Sequence, residues 1–216
     1  MDKKRKEAEQ SPPFDVEAWV PLTELGKKVK AHEVSSIEQI FHQGKKIEET
    51  EIVDALLPNI KSEVIEIESV QRMTKNNRKQ KFRVTAIIGD GNGHVGVGSG
   101  KDAEVKAAIE SAIKDAKRNV IPIMLGCGSW QCTCGTQHSL PFAVSGRCGG
   151  VQVTLKPAPR GTGVVASSPI KKMMVLAGVK DVWSSARGHT KARYNTLMAV
   201  VDAMQNMLKM KNLQEG

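Results

Sequence analysis

A chain of 216 residues that is 40% hydrophobic and 25% charged can bury one or two compact cores, which excludes a disordered or fibrous polypeptide. No apolar run approaches the roughly 20 residues that span a bilayer, and the opening MDKKRKEAEQ has no apolar segment behind its charges, so a cytoplasmic protein without a membrane partner is expected. The net charge of +9 is unevenly placed: residues 1–60 hold 9 Lys/Arg against 12 Asp/Glu, a balance of −3, and the rest hold 23 against 11, a balance of +12.

Residues 1–15 read as a flexible tail, charged and then SPPF, with nothing periodic to bury. Residues 16–60 form an acidic, helical N-terminal extension. Its helices are expected in PLTELGKKVK, in SSIEQIFHQ with Ser35 or Ser36 as cap, and in EETEIVDALL, which stops at Pro58. From Ser62 the pattern turns to strands: EVIEIESV alternates loosely, and KFRVTAIIG sets Phe82, Val84, Ala86 and Ile88 on one face at period two. HVGVG follows in the same register. The strongest helix signal runs from Asp102 to about Arg118, with Val105, Ala108, Ile109, Ala112, Ile113 and Ala116 as one stripe and Asp102 as the expected cap. Helix, three strands, helix is the order of a double-stranded-RNA-binding type of domain.

A second α/β unit begins after a cysteine-bearing connection. FAVSGR and GVQVTLKPAP read as paired strands, and APRGTGVVASSP as a Gly/Pro-punctuated loop. Ser168 and Pro169 open a short helix closed by Gly178, VKDVW is a strand, and a last helix starts between Thr190 and Asn195. The expected class is α+β: extension 16–60, an α-β-β-β-α domain over 61–125, a connecting segment 126–138, a C-terminal α/β domain over 139–212, and a tail 213–216. No internal repeat is evident in the residues.

GDGNGHVGVGSGK, from Gly89 to Lys101, looks like a nucleotide loop, since Gly91, Gly93 and Gly96 satisfy G-x-G-x-x-G. A dinucleotide fingerprint, however, opens its helix at the third glycine, so that pyrophosphate meets the free N–H groups of the first turn. Here VGSG intervenes, and Asp102 puts a carboxylate where phosphate would sit. A P-loop would need Gly at position 95 and Ser or Thr at 102, which are Val95 and Asp102. The stretch therefore reads as a hairpin turn followed by a strand with one face stripped of side chains at Gly96, Gly98 and Gly100, to which protein or RNA comes close. No catalytic residue, cofactor or small-molecule substrate is expected.

RVTAIIGDGNGHVGVGSGKDAEVKAAI, followed by SGRCGGVQVTLKPAPRGTGVVASSPIKKMMVLAGVKDVWSSARG, resembles the universal small-subunit ribosomal protein family five. AWVPLTELGKKVK and PAPRGTG are similar to its eukaryotic and archaeal branch. The resemblance covers roughly Trp19 to Leu208. It implies a double-stranded-RNA-binding-like domain followed by that family's characteristic second α/β domain. It further implies a structural part of the eukaryotic 40S subunit in the cytoplasm, touching 18S-type rRNA, neighbouring small-subunit proteins and mRNA near the channel through which mRNA enters. Support of decoding accuracy and mRNA unwinding follows from the same resemblance. A free-standing double-stranded-RNA-binding regulator is the alternative.

A basic body with eight aromatics suits such a polyanion, because each neutralised phosphate releases condensed counterions, while few rings disfavour base stacking. The candidate RNA contacts begin with RMTKNNRKQKFR, read as a loop between strands that carries Arg72, Lys75, Arg78, Lys79, Lys81 and Arg83. Asn92 and His94 are hairpin candidates. Arg147, Lys156, Arg160, Lys171, Lys172, Arg187, His189, Lys191 and Arg193 gather at loops and helix starts of the second domain. Cys127 to Cys132 could chelate, but the cysteines give no clean second pair: Cys127, Cys132, Cys134 and Cys148 are spaced x4, x1 and x13, with His138 nearby. They are expected to be buried or idle thiols, with zinc the lesser alternative.

Overall fold

The computed structural model describes residues 19–209, so the tails expected over 1–15 and 213–216 lie outside the described residues. The chain divides into two compact units, Met1–Lys61 and Ser62–Gly216.

The first unit holds three short helices, α1 (Glu24–Lys30), α2 (Ile37–His42) and α3 (Thr50–Leu56). Thr23 caps α1 by accepting the Gly26 N–H at 3.1 Å, and Glu24 at its start and Lys30 at its end both suit the helix dipole. Ser36 occupies the cap position of α2, as expected, but its side chain makes no capping bond. The α3 helix ends before Pro58, whose ring disfavours helical geometry in the residue ahead of it. Glu49 Oε1 accepts the Leu22 N–H at 2.9 Å, and Ile40, Ile52 and Val53 are fully buried.

The second unit contains two four-stranded sheets. The first has the order β1-β2-β3-β4, from β1 (Lys61–Met73), β2 (Arg78–Gly89), β3 (His94–Asp102) and β4 (Val120–Pro122), with helix α4 (Val105–Arg118) between β3 and β4. The second has the order β5-β6-β8-β7, from β5 (Val144–Cys148), β6 (Val151–Pro157), β7 (Val164–Val165) and β8 (Val182–Gly188). Helix α5 (Ser168–Ala177) links β7 to β8, which pair in parallel, and helix α6 (Arg193–Leu208) follows β8. The helix expected to open the RNA-binding-type domain, α3, falls in the first unit. Within its own unit the first sheet therefore runs β-β-β-α-β.

Three local expectations change. Asp102 does not cap α4: it ends β3, paired with Phe82, and Glu104 stands at the cap. The Asp102 side chain instead accepts the N–H of Ala103 at 2.7 Å. The short strands β4 and β7 were not expected, because runs of three and two residues show no periodicity.

Glycine packing explains how α4 sits on its sheet. A Cβ at Gly96, Gly98 or Gly100 would overlap the backbone of Ala116, Ala112 or Ala108, so the helix main chain lies directly on the stripped face of β3. The side chains supply the fit, with Ala108, Ala112 and Ala116 fully buried at i, i+4 and i+8. The space above the glycines is thus filled by protein. The second sheet repeats the device: a Cβ at Gly146 of β5 would overlap Ala199 and Ala203 of α6. In both places the residue after the glycine donates its N–H to a helix aspartate, Ser99 to Asp115 at 2.9 Å and Arg147 to Asp202 at 2.9 Å. The helices share the pattern Ala-x-x-Asp-Ala, at 112–116 and 199–203, a local repeat that the sequence reading did not register.

One apolar core serves both sheets. Ile87, Val95, Val97 and Ile123 from the first sheet and its flank pack in the same cluster as Val153, Leu155, Met173, Met174, Leu197 and Met204. Hydrogen bonds reinforce the junction: the turn glycines Gly91 and Gly93, at φ 77° and 99°, donate to Leu176 O and Ala177 O at 2.9 and 3.0 Å. Those carbonyls end α5 and have no partner within the helix. Gly178, left-handed at φ 86°, terminates α5 as expected, with Val179 N–H returning to Met174 O at 3.0 Å.

The close approach at β3 generates a prediction. Gly98→Val forces the α4 backbone away and should cost at least ~3 kcal/mol by urea unfolding. Gly150→Ala, where a Cβ meets nothing within 4 Å, should stay within about 0.5 kcal/mol of the parent. Equal stability of the two variants would show that α4 is not held on the bare strand face.

Candidate nucleic-acid interface

The basic segment 72–83 is not the loop expected from its composition. The turn between β1 and β2 is only residues 74–77, and most of the cations stand on the strands themselves. Thr74 and Asn77 build that turn: Thr74 N–H donates to Asn77 O at 2.9 Å, Asn77 N–H to Thr74 Oγ1 at 3.2 Å, and Arg78 N–H to Asn77 Oδ1 at 2.7 Å. The result is a two-stranded arm with exposed Arg72, Lys75, Arg78 and Lys79 at its end and half-buried Lys81 and Arg83 nearer the sheet. A shallow recess of about 360 Å³ is lined by Val70, Gln71, Arg72, Lys79, Lys81 and Lys101. Four cations and no carboxylate line it. Lys101, on β3, was missed by the sequence reading because its neighbours in sequence are glycine and aspartate. Only strand pairing brings it beside β2, where it lies opposite Arg83.

The other candidates divide by their partners. Arg83 places its guanidinium over the Tyr194 ring, 5.2 Å from the centroid, which makes it a packing contact between β2 and α6. Lys172 pairs with Glu63 at 2.6 Å, and Arg193 Nε lies 3.5 Å from Glu66, so β1 carboxylates already engage both. His94 Nδ1 meets Asp90 Oδ2 at 2.7 Å, and Asn92 N–H donates to Asp90 Oδ1 at 2.8 Å; this cluster orders the hairpin turn. Lys171 is exposed on the first turn of α5.

A second basic surface lies on the solvent face of the β5-β6-β8 sheet. Register sets Arg147, Gln152 and Arg187 in one row across the three strands, and Thr154 with Ser185 in another. Residues opposite one another across a ladder share a face. Gln152, Thr154, Lys156, Ser185 and Arg187 line a recess of about 250 Å³ there, again without a carboxylate. Arg147 also donates from Nε to Gly149 O at 3.1 Å, which steadies it. His189 and Lys191 are exposed in the turn after β8, and Arg160 is exposed in the loop before β7.

Three of the four cysteines come together, and all four are half-buried where burial was expected. Cys127, Cys132, Cys134 and His138 bring one ligand atom each within 4.8 Å of one another; Cys148, on β5, is not among them, and His138 takes the place assigned to it. Cys134 and Cys127 sulfurs are 3.5 Å apart, and Cys132 Sγ is 3.7 Å from His138 Nε2. His138 is buried, and its Nδ1 meets Asp181 Oδ2 at 2.8 Å. Asp181 in turn accepts Gly163 N–H at 2.8 Å and Gly161 N–H at 3.1 Å through Oδ1.

These contacts pull the groups apart in acidity. Burial, followed by the neighbouring Cys134 and Cys132 thiols, pushes the Cys127 thiol up to about 11. The Thr136 hydroxyl and Cys132 bring Cys134 down to about 6. Cys132 is pushed up by its contact with Cys134, yet the Arg160 and Cys134 backbone N–H groups bring it below the usual thiol value. Burial works against charged His138 and charged Asp181. Cys132 and Asp181 nevertheless hold His138 above the usual imidazole value, while the Gly163 N–H and His138 hold Asp181 below the usual carboxylate value.

No helix among the described residues is long and apolar enough to cross a membrane. Comparison with known proteins gives two matched segments: residues 60–124 match "Ribosomal protein S5, N-terminal domain" and residues 146–216 match "Ribosomal protein S5, C-terminal domain". Among similar proteins, the "Small ribosomal subunit protein uS5" of Saccharolobus solfataricus is 45% identical over 208 residues, covering 96% of this chain and 97% of its own. The protein of that name from Aeropyrum pernix is 48% identical over 192 residues, covering 89% of this chain and 88% of its own. Its namesake from Methanospirillum hungatei is 45% identical over 203 residues, covering 93% and 99%. These relatives are ribosomal proteins rather than enzymes, in agreement with a glycine stretch that packs against a helix where a nucleotide loop would hold phosphate. Two matched domains in the expected order, on a mixed α+β fold, and close similarity along nearly the whole length establish that the chain belongs to the ribosomal protein S5 family.

Proposed function

We propose that the chain is a structural constituent of the small ribosomal subunit, held there by rRNA and by neighbouring ribosomal proteins. The observation that carries this reading is the near full-length similarity to relatives named as small-subunit proteins. The two carboxylate-free recesses supply its physical basis. Cations on paired strands are spaced by the ladder, so they can meet successive phosphates without first being ordered, and each neutralised phosphate adds counterion-release affinity.

The finer reading follows the family resemblance: a position near the channel through which mRNA enters, and support of decoding accuracy and unwinding of incoming mRNA. The long β1–β2 arm suits it, because a stiff basic projection can reach rRNA that the body of the protein does not touch. The similar proteins named above are archaeal, which supports a small subunit and its rRNA but lends nothing to the eukaryotic 40S and 18S labels.

In a sucrose gradient the protein should travel with small subunits through moderate salt. Recovery only at the top, together with tight binding to arbitrary duplex RNA, would replace this reading with that of a free-standing duplex-RNA regulator. The charge reversal Arg78→Glu/Lys79→Glu/Lys81→Glu should strongly reduce incorporation into subunits, and normal incorporation would remove the arm from the rRNA contact. In filter-binding titrations with rRNA fragments, Lys79→Ala or Lys101→Ala should each lower the slope of log affinity against log salt by about 0.7–0.9. Lys172→Ala and Arg193→Ala, whose partners are Glu63 and Glu66, should leave that slope unchanged. The opposite ranking would mean that the β1 ion pairs open on RNA.

A further inference from the structure

We propose that Cys127, Cys132, Cys134 and His138 bind one Zn²⁺ in a closed, structural S₃N site. Three sulfurs and one imidazole nitrogen, all within 4.8 Å of one another, are the full ligand set of a tetrahedral zinc centre. Two of the spacings lie at that geometry, and the others reach no further than 4.8 Å. Zinc–sulfur bonds of about 2.3 Å and a zinc–nitrogen bond of about 2.0 Å put neighbouring ligand atoms roughly 3.5–3.8 Å apart; Cys134–Cys127 is 3.5 Å and Cys132–His138 is 3.7 Å.

The surroundings favour a metal over free thiols. His138 presents Nε2 to the sulfurs because Asp181 takes its Nδ1 at 2.8 Å, the arrangement that fixes a metal-binding imidazole. The site also has a structural task. Residues 127–138 carry no helix or strand, and the ends of this segment are tied by the reciprocal Gly126–Ser139 bridge at 2.8 Å. A metal would close the interior of the loop. Through His138 and Asp181 it would also brace the Gly161–Gly163 turn next to Arg160.

The test uses the purified full chain, dialysed and analysed for metals. About one zinc per chain is expected, unchanged in Cys148→Ser and reduced at least tenfold in Cys132→Ser and in Cys134→Ser. The cobalt-loaded parent should show the intense ligand-field bands and thiolate charge transfer of a tetrahedral Co²⁺ site. That spectrum decides the matter by itself should the cysteine variants fail to fold. A parent chain with native circular dichroism but neither bound zinc nor this cobalt spectrum overturns the proposal. So does loss of zinc on Cys148→Ser, iron in place of zinc, or a Cys127–Cys134 disulfide in the native protein. In chelator competition, Asp181→Asn should weaken zinc affinity about 10–100-fold, and an unchanged affinity would refute the positioning role given to Asp181.

Discussion

Everything in the Ser62–Gly216 unit depends on helix backbone lying directly against strand backbone. Gly96, Gly98 and Gly100 remove the side chains from one face of β3, and Ala108, Ala112 and Ala116 remove all but methyl groups from the facing stripe of α4. The same pairing, Gly146 against Ala199 and Ala203, seats α6 on the second sheet. Such close approach leaves little room for error, since interiors are packed as tightly as organic crystals. Beside these contacts Asp115 and Asp202 accept the N–H groups of Ser99 and Arg147, tying each helix to its strand. Small residues and one acid thus do for each half what larger apolar side chains do in a looser fold.

That constraint leaves the outer surfaces free for charge. With the inner faces given to Gly–Ala packing and to the shared Val, Ile, Leu and Met cluster, the solvent faces carry Arg, Lys, Gln, Thr and Ser. Carboxylates lie elsewhere. Glu63 and Glu66 on β1 engage Lys172 and Arg193, and Asp90 orders the turn that holds His94. The net positive balance of this part of the chain is therefore concentrated where no acid offsets it, which is the condition for steering a polyanion to a particular face.

Much of this was legible in the residues, and the exceptions share a cause. The stripe from Val105 to Ala116, the stop at Gly178 and the strand alternation around Val84 and Val153 depend on neighbours a few positions away, and local pattern reports them. Asp102 as a helix cap failed because β2 claims it in pairing, and Lys101 joined the basic recess only through that same register. The basic segment looked like a loop because charge masks the strand period once both faces are wet. The cysteine cluster escaped for a related reason: its fourth ligand is a histidine outside the expected cysteine pairs, and the acid that orients this histidine, Asp181, lies 43 positions further on. The resemblance to the family rested on long motif blocks, and these the matched domains cover.

The hydrogen bonds from Gly91 and Gly93 to the last carbonyls of α5 have a consequence for the order in which the chain acquires its structure. The acceptors at Leu176 and Ala177 lie far along the chain from Gly91 and Gly93, so these bonds, and the cover they bring to Ile87, Val95 and Val97, form only once the later half has been synthesised. Closing so distant a contact carries a loop entropy that local helix formation does not. The segment that completes the shared core is the one that carries β6, α5 and α6.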